Sequence, residues 1–189
     1  MKHDLTWLKT ALAHAPARPV KAGGWARLVP QLDLGASPNW LFTSGKPNRF
    51  NPSGVNCVYF SETREVAQME YDDRWKGLTG AQQPVTTYFA EVKLQRVLDL
   101  TDAATLKVLD LDTQDLFMKW RTAERPTPTQ LLGQAVSETG LFCAILFPSK
   151  AAADRGREGT NLAIFRDCLR PPNALRISGP GSKPLQEWP

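Results

Sequence analysis

The sequence predicts an α+β fold in a single domain, and three observations carry that expectation. The segment "TTYFAEVKLQRVLDL" sets Tyr88, Ala90, Val92 and Leu94 against Phe89, Glu91, Lys93 and Gln95, the two-residue period of a half-buried strand. Other segments carry apolar residues at helical spacing. The chain has 189 residues, 42% of them hydrophobic and 22% charged, which is a globular composition long enough for one core and shows no internal repeat.

Taken in order, Asp4 is an N-cap for a helix over residues 4–14, with Leu5, Leu8, Ala11 and Leu12 on one face, before Pro16 and Pro19 end the pattern. A short strand is expected at "WARLV", entered through Gly23 and Gly24. Residues 31–54 are rich in Pro, Gly, Ser and Asn, a long loop of the kind that is functional or disordered. "VNCVYFS" reads as a strand, after which Thr63 caps a helix running to Trp75. Short helices are expected at 101–109 and 114–121. Thr127-Pro128 opens a further helix that Gly140 ends. "LFCAILF" and "NLAIF" are continuous apolar runs of strand length, suited to burial on both faces. Residues 170–189, with "RPPN" and "SGPGSKP", show no core pattern and are expected to form a tail, just as residues 1–20 are expected to form a helix and linker outside the main domain.

The N-terminal segment carries charges within its apolar pattern, and no apolar run approaches membrane-spanning length, so a cytoplasmic protein without membrane association is expected. Cys57, Cys143 and Cys168 are odd in number and widely spaced, and they read as reduced structural thiols. The net charge of +4 comes from dispersed basic residues and not from a Lys/Arg run, so it suits an anionic small molecule or an acidic protein better than direct nucleic-acid binding.

Much chemistry is disfavoured. The two histidines, His3 and His14, lie together near the N-terminus, and Ser149 lacks a Gly-x-Ser-x-Gly elbow, which argues against a Ser/His/Asp hydrolase. His and Cys do not fall at zinc-ligand spacing, and no metal is expected. "GPGSKP" lacks the frame of a phosphate loop. Arg, Glu, Tyr and Ser remain. Such a set suits gripping phosphates with guanidinium forks while a carboxylate faces developing positive charge, the electrostatic shape of cleavage at the anomeric carbon of a nucleotide sugar. Glu70 shares a helix face with Val66 and Ala67, which turns its carboxylate inward, where it needs a partner.

In this order and spacing, "WARLVP", "NRFNPSGVNCVYFSETREVAQMEY", "PTQLLGQAVSETGLFCAILFPSK" and "NLAIF" resemble the RES-domain family, the toxin half of bacterial RES–Xre toxin–antitoxin pairs. The resemblance covers roughly residues 25–167 and places the domain at 21–169. It implies a split mixed β-sheet with flanking helices and a central NAD cleft, similar to ADP-ribosyltransferases. It implies an enzyme that degrades NAD by phosphorolysis or hydrolysis, with NAD as substrate, phosphate as a candidate co-substrate and no cofactor. The Arg, Glu and Ser of the family name fall on Arg49 or Arg27, Glu70 and Ser149. Glu70, Arg49 and Ser149 are thereby the catalytic candidates, and Arg27, Tyr59 and Asn51 the substrate-binding ones. Leu28 stands where several members carry an aromatic residue. An Xre-type antitoxin is the implied partner, with a toxin homodimer also in view. Two rival functions stay open at this point: ADP-ribosylation of a protein target, and a non-catalytic basic binding module.

Overall fold

The computed structural model describes residues 4–31, 46–76, 83–180 and 184–189. His3, most of the loop at 31–47 and part of "GPGSKP" lie outside the described residues.

Helix α1 (Leu5–Leu12) leads into strand β1 (Ala17–Pro30), and β2 (Cys57–Ser61), α2 (Arg64–Trp75) and β3 (Val85–Asp99) follow. Three helices come next, α3 (Ala103–Val108), α4 (Thr113–Phe117) and α5 (Pro128–Thr139). Strand β4 (Ala144–Pro148), helix α6 (Lys150–Ala153) and strands β5 (Thr160–Phe165), β6 (Ala174–Ser178) and β7 (Pro184–Trp188) complete the chain. The helix ends follow their local chemistry. The carboxylate of Asp4 accepts from Trp7 N at 2.7 Å, and Thr63 accepts from Val66 N at 3.1 Å. Thr127 and Gln130 form a reciprocal capping box at the start of α5, and Gly140 closes that helix in the left-handed region at φ 61°.

The seven strands form one sheet in the order β1-β2-β5-β4-β3-β6-β7, and β1 also pairs with β3. That extra pairing closes β1, β2, β5, β4 and β3 into a five-stranded barrel, which corrects the expected split sheet. The closure has a visible cause in β1, a strand of fourteen residues whose register shifts between Arg18 and Val20 and again between Ala22 and Trp25. These irregularities bend the strand, so that it follows β3 from Ala17 to Pro30 and still reaches β2 through the pair Ala26–Ser61. The "WARLV" segment is therefore only the second half of a strand that begins inside the expected linker.

β3 carries β1 on one edge. Its other edge takes β6 at residues 89–93 and parallel β4 at residues 97–99. The expected C-terminal tail is thus corrected as well. β6 buries Leu175 and Ile177 in the barrel core and exposes Arg176 between them, and β7 pairs with β6. Two core residues are too short a period to stand out in a Pro- and Gly-rich segment.

Two apolar cores lie on opposite faces of β2, β4 and β5. Val58, Phe60, Leu146, Leu162 and Ile164 point into the barrel with Trp25 and Leu94. Cys57, Ile145, Ala163 and Phe165 face α1 and α5, against Leu8, Leu12, Leu132 and Val136. Burial on both faces is why "LFCAILF" and "NLAIF" read as unbroken apolar runs. None of the described helices is long and apolar enough to cross a membrane.

α5 also seats the turn that carries Arg49. Gln130 Nε2 donates to Asn48 O at 3.0 Å, and a Cβ built on Gly133 would lie 1.5 Å from the carbonyl oxygen of Phe50. A glycine is thus required where backbone meets helix. Gly133→Ala is expected to cost at least the ~1–3 kcal/mol usual for overpacking, since backbone must move to relieve the clash. The denaturant midpoint measures it, and a wild-type midpoint would mean that Phe50 does not rest on α5.

Candidate functional site

Strand register sets out one end of the barrel as a row. Ala26 of β1 faces Ser61 of β2, Ser61 faces Asn161 of β5, and Asn161 faces Phe147 of β4. Two residues past Phe147 the chain leaves β4 at Ser149, whose hydroxyl caps α6 by accepting from Ala152 N at 3.1 Å. α2 lies across this end and brings Glu70 to it.

The Glu70 carboxylate is half-buried and is met by two neutral donors. Ser149 Oγ and Asn161 Nδ2 each donate to Oε1 at 2.7 Å, and Asn161 Oδ1 in turn accepts from Ser61 Oγ at 2.7 Å. No ion pair holds Glu70 among the described residues. The partner that an inward carboxylate requires is therefore a pair of side-chain dipoles, not an arginine. Oε2 accepts no hydrogen bond from the described residues, and Glu70 lines a cavity of about 200 Å³.

Arg27, Arg49, Arg74, Arg121, Asp73 and Trp120 line the same cavity. Arg27 comes from β1, where its Nη1 donates to Tyr59 O at 3.0 Å. Arg49 sits in a tight turn in which Asn48 N donates to Asn51 O at 2.8 Å, and its Nη1 donates to Leu116 O at 2.6 Å, at the end of α4. Burial lowers the Arg49 pKa from its ordinary value, and the nearby Glu70 carboxylate is the main opposing influence. Arg121 stacks on the ring of Trp120, its guanidinium carbon 4.9 Å from the ring centroid.

The other three sequence candidates have their polar ends enclosed. Ser149 is 1% exposed, and its hydroxyl is spent on the Glu70 carboxylate. Asn51 is fully buried, donating from Nδ2 to Lys46 O at 2.8 Å and to Val55 O at 3.1 Å. It braces the Arg49 loop and does not line the cavity. The Tyr59 hydroxyl donates to Asn51 Oδ1 at 2.8 Å and accepts from Phe50 N at 3.0 Å. Burial, with Cys57 adding, raises the Tyr59 phenol well above its ordinary pKa. Tyr59 as a residue is half-buried and lines the cavity, but its polar end is enclosed and serves the loop.

Asn161, Ser61, Trp120 and Arg121 belong to the site and were not singled out from sequence. Asn161 opens the apolar run "NLAIF", and a polar residue at the mouth of a doubly buried strand is the signal that marks it. His14 is exposed and does not line the cavity. Among the described residues no group of three or more His, Cys, Asp or Glu side chains could hold a metal ion. A larger depression of about 460 Å³ lies elsewhere, over Lys21, Glu91, Lys93 and Arg176. Glu91 and Arg176 there are half exposed or more and paired at 4.0 Å, so it is a surface hollow away from the carboxylate.

The family model of the RES domain matches residues 25–183, from the second half of β1 to beyond β6. The chain belongs to the RES-domain family. No curated protein matches the sequence of this RES domain. Among solved structures it is similar to a chain in the crystal structure of the M. tuberculosis MbcT–MbcA toxin–antitoxin complex. The TM-score is 0.64, the identity 15%, and 93% of each chain is covered. At that identity the likeness establishes a shared fold.

The Tyr59 hydroxyl separates bracing from substrate contact. Tyr59→Phe keeps the ring against the cavity but removes the hydroxyl that bonds Phe50 N and Asn51 Oδ1. A loss of about 1–3 kcal/mol is expected, the cost of stranding buried polar groups. Thermal or denaturant unfolding reads it, and unchanged stability would argue that the hydroxyl does not hold the loop.

Proposed function

We propose that this RES domain cleaves the nicotinamide–ribose bond of NAD and acts as a growth-arresting toxin. The observation that carries the reading is the Glu70 carboxylate, anchored through one oxygen by neutral donors and set in a cavity otherwise rich in arginine. The guanidinium groups of Arg49 and Arg27 suit the pyrophosphate, for which planar forks are the preferred partners. Glu70 faces the ribose. As the C–N bond breaks, its electron pair leaves with the pyridinium nitrogen, so nicotinamide departs neutral and needs no general acid. The positive charge passes to the ribose C1–O4 unit, where a fixed carboxylate stabilises it. Phosphate then adds to give ADP-ribose 1-phosphate, or water adds to give ADP-ribose and a proton.

The partner in this reading is an Xre-type antitoxin protein. The similar structure is a toxin–antitoxin complex, and a net charge of +4 suits an acidic segment at the cavity mouth. Incubation with NAD, with and without phosphate, followed by product analysis, tests the reaction. Free nicotinamide with ADP-ribose or its phosphate supports it, and a labelled protein from labelled NAD would favour ADP-ribosylation instead. A protein that leaves NAD intact would sink the reading.

Two substitutions assign the charged residues. Glu70→Gln can still accept from Ser149 and Asn161 through its carbonyl oxygen, so fold and binding should persist while kcat falls by about 10²–10³. Wild-type turnover would remove Glu70 from the chemistry. Arg49→Lys retains charge, but a compact ammonium does not reproduce the planar fork that can hold Leu116 O on one arm and a phosphate on the other. A loss of roughly 10- to 100-fold in kcat/KM is expected, the size of a charge-assisted hydrogen bond, with the melting temperature recorded alongside. Full activity would make Arg49 a turn residue only.

A further inference from the structure

We infer that Asn161 and Ser61 form a two-step positioning relay for Glu70, in which Ser61, without touching the carboxylate, governs how well Glu70 is aimed. The inference rests on the proposed role of Glu70 and goes beyond it, by assigning to two further residues a task that neither the family name nor the charge pattern suggests.

The geometry is directional. An ionised carboxylate only accepts, so the amide of Asn161 must present Nδ2 to Glu70 Oε1, at 2.7 Å. Oδ1 then faces the opposite way, onto Ser61 Oγ at 2.7 Å, and the single hydroxyl proton of Ser61 completes the chain. Ser149 converges on the same oxygen. Its hydroxyl already accepts from Ala152 N at 3.1 Å, which commits its one proton to Glu70. Ser149 and Asn161 thus each give one proton to Oε1, while Ser61 gives its proton to the far end of the Asn161 amide. Asn161 is 5% exposed and Ser61 6%, so water does not replace a lost partner cheaply. The amide is held at both ends. Without Ser61, Oδ1 is stranded and the amide can rock about its terminal torsion, carrying the carboxylate with it.

The two donors also select which carboxylate oxygen serves the cavity. With Oε1 occupied twice, Oε2 is the one open to a substrate, and its direction is set by the Asn161 and Ser149 contacts together. Ser61 and Asn161 are neighbours across the β2–β5 pairing, so backbone hydrogen bonding fixes their separation and only the side-chain rotors remain to be held. Asn161 and Ser61 are positioning residues in this assignment, since their hydrogen bonds go to Glu70 and to each other.

The test is a double-mutant cycle on NAD turnover by the full chain, with wild type and Glu70→Gln as references. Asn161→Ala should lower kcat by about 10- to 100-fold and Ser61→Ala by about 2- to 10-fold, the losses expected for a charged and a neutral hydrogen bond, with KM nearly unchanged. The double variant should be no slower than Asn161→Ala alone, and Ser61→Thr, which restores a hydroxyl, should recover activity. Additive losses, a change confined to KM, or wild-type kcat in Ser61→Ala would each overturn the relay. Melting temperatures accompany the kinetics, since a fall in kcat tracked by loss of fold would make the pair merely structural. A second readout is independent of NAD. The Asn161 side-chain amide protons should exchange slowly in wild type and faster in Ser61→Ala by nuclear magnetic resonance, and equal exchange would also overturn the relay. A protein inert toward NAD but showing that exchange difference would instead discard the proposed reaction and keep the relay.

Discussion

The pairing of Ser61 with Asn161 across β2 and β5 is the contact on which the site depends. Side chains alternate between the two faces of a strand, so a slip of one residue would carry Phe60 or Leu162 toward the carboxylate and drive a serine or an asparagine into an apolar core. The register withstands this because β2 and β5 are buried on both faces. Val58 and Phe60 fit the barrel interior, while Cys57 fits the layer under α5, and neither set can take the other's place without leaving a void or a clash. The polar row Ser61, Asn161 and Ser149 lies where the strands run out. There, buried hydrogen-bonding groups must satisfy one another, and with Glu70 they do so as a set.

The cavity owes its character to local arrangement and not to the overall charge. Four arginines line it, from β1, the loop before β2, α2 and the segment after α4, and two carboxylates, Glu70 and Asp73, stand among them. Burial of Arg49 works against its charge, and Glu70 and Asp73 offset part of that cost. The result is a bipolar surface, mostly positive with one anchored negative point. An anion with a latent cationic centre fits such a surface better than a simple polyanion, for which the carboxylates would be unfavourable.

What the sequence made legible was local. Thr63, the Thr127-Pro128 pair and Gly140 mark helix ends through bonds that span three or four residues, and the period of β3 is complete within one segment. What it hid depends on partners distant along the chain. "WARLV" carries no sign that β1 starts eight residues earlier, bends, and closes a barrel on β2. Leu175 and Ile177 become core only because β3 offers them an edge. The site divides in the same way. Glu70, Arg49 and Arg27 were found as charged groups in revealing contexts, and all three line the cavity. Tyr59, Asn51 and Ser149 read in sequence as ligand contacts, and in the structure their polar atoms bond to the loop and to Glu70. A side chain able to bond either way cannot disclose its choice until its neighbours are known.

That division has a physical logic. The charged groups of the site line the cavity, and the donors that hold its carboxylate are neutral dipoles. A neutral donor fixes a carboxylate without cancelling its charge, whereas an arginine at the Ser149 or Asn161 position would hold Glu70 as firmly and leave less negative potential for a developing cation. The same bonds tie α2 to the ends of β4 and β5, so Glu70 anchors the helix that carries it, and Thr63 holds that helix at its first turn. The carboxylate therefore has little freedom to relax toward solvent. Whatever enters the cavity meets a negative charge whose position was settled in folding, and the reorganisation that water would have to undergo around the same charge is avoided.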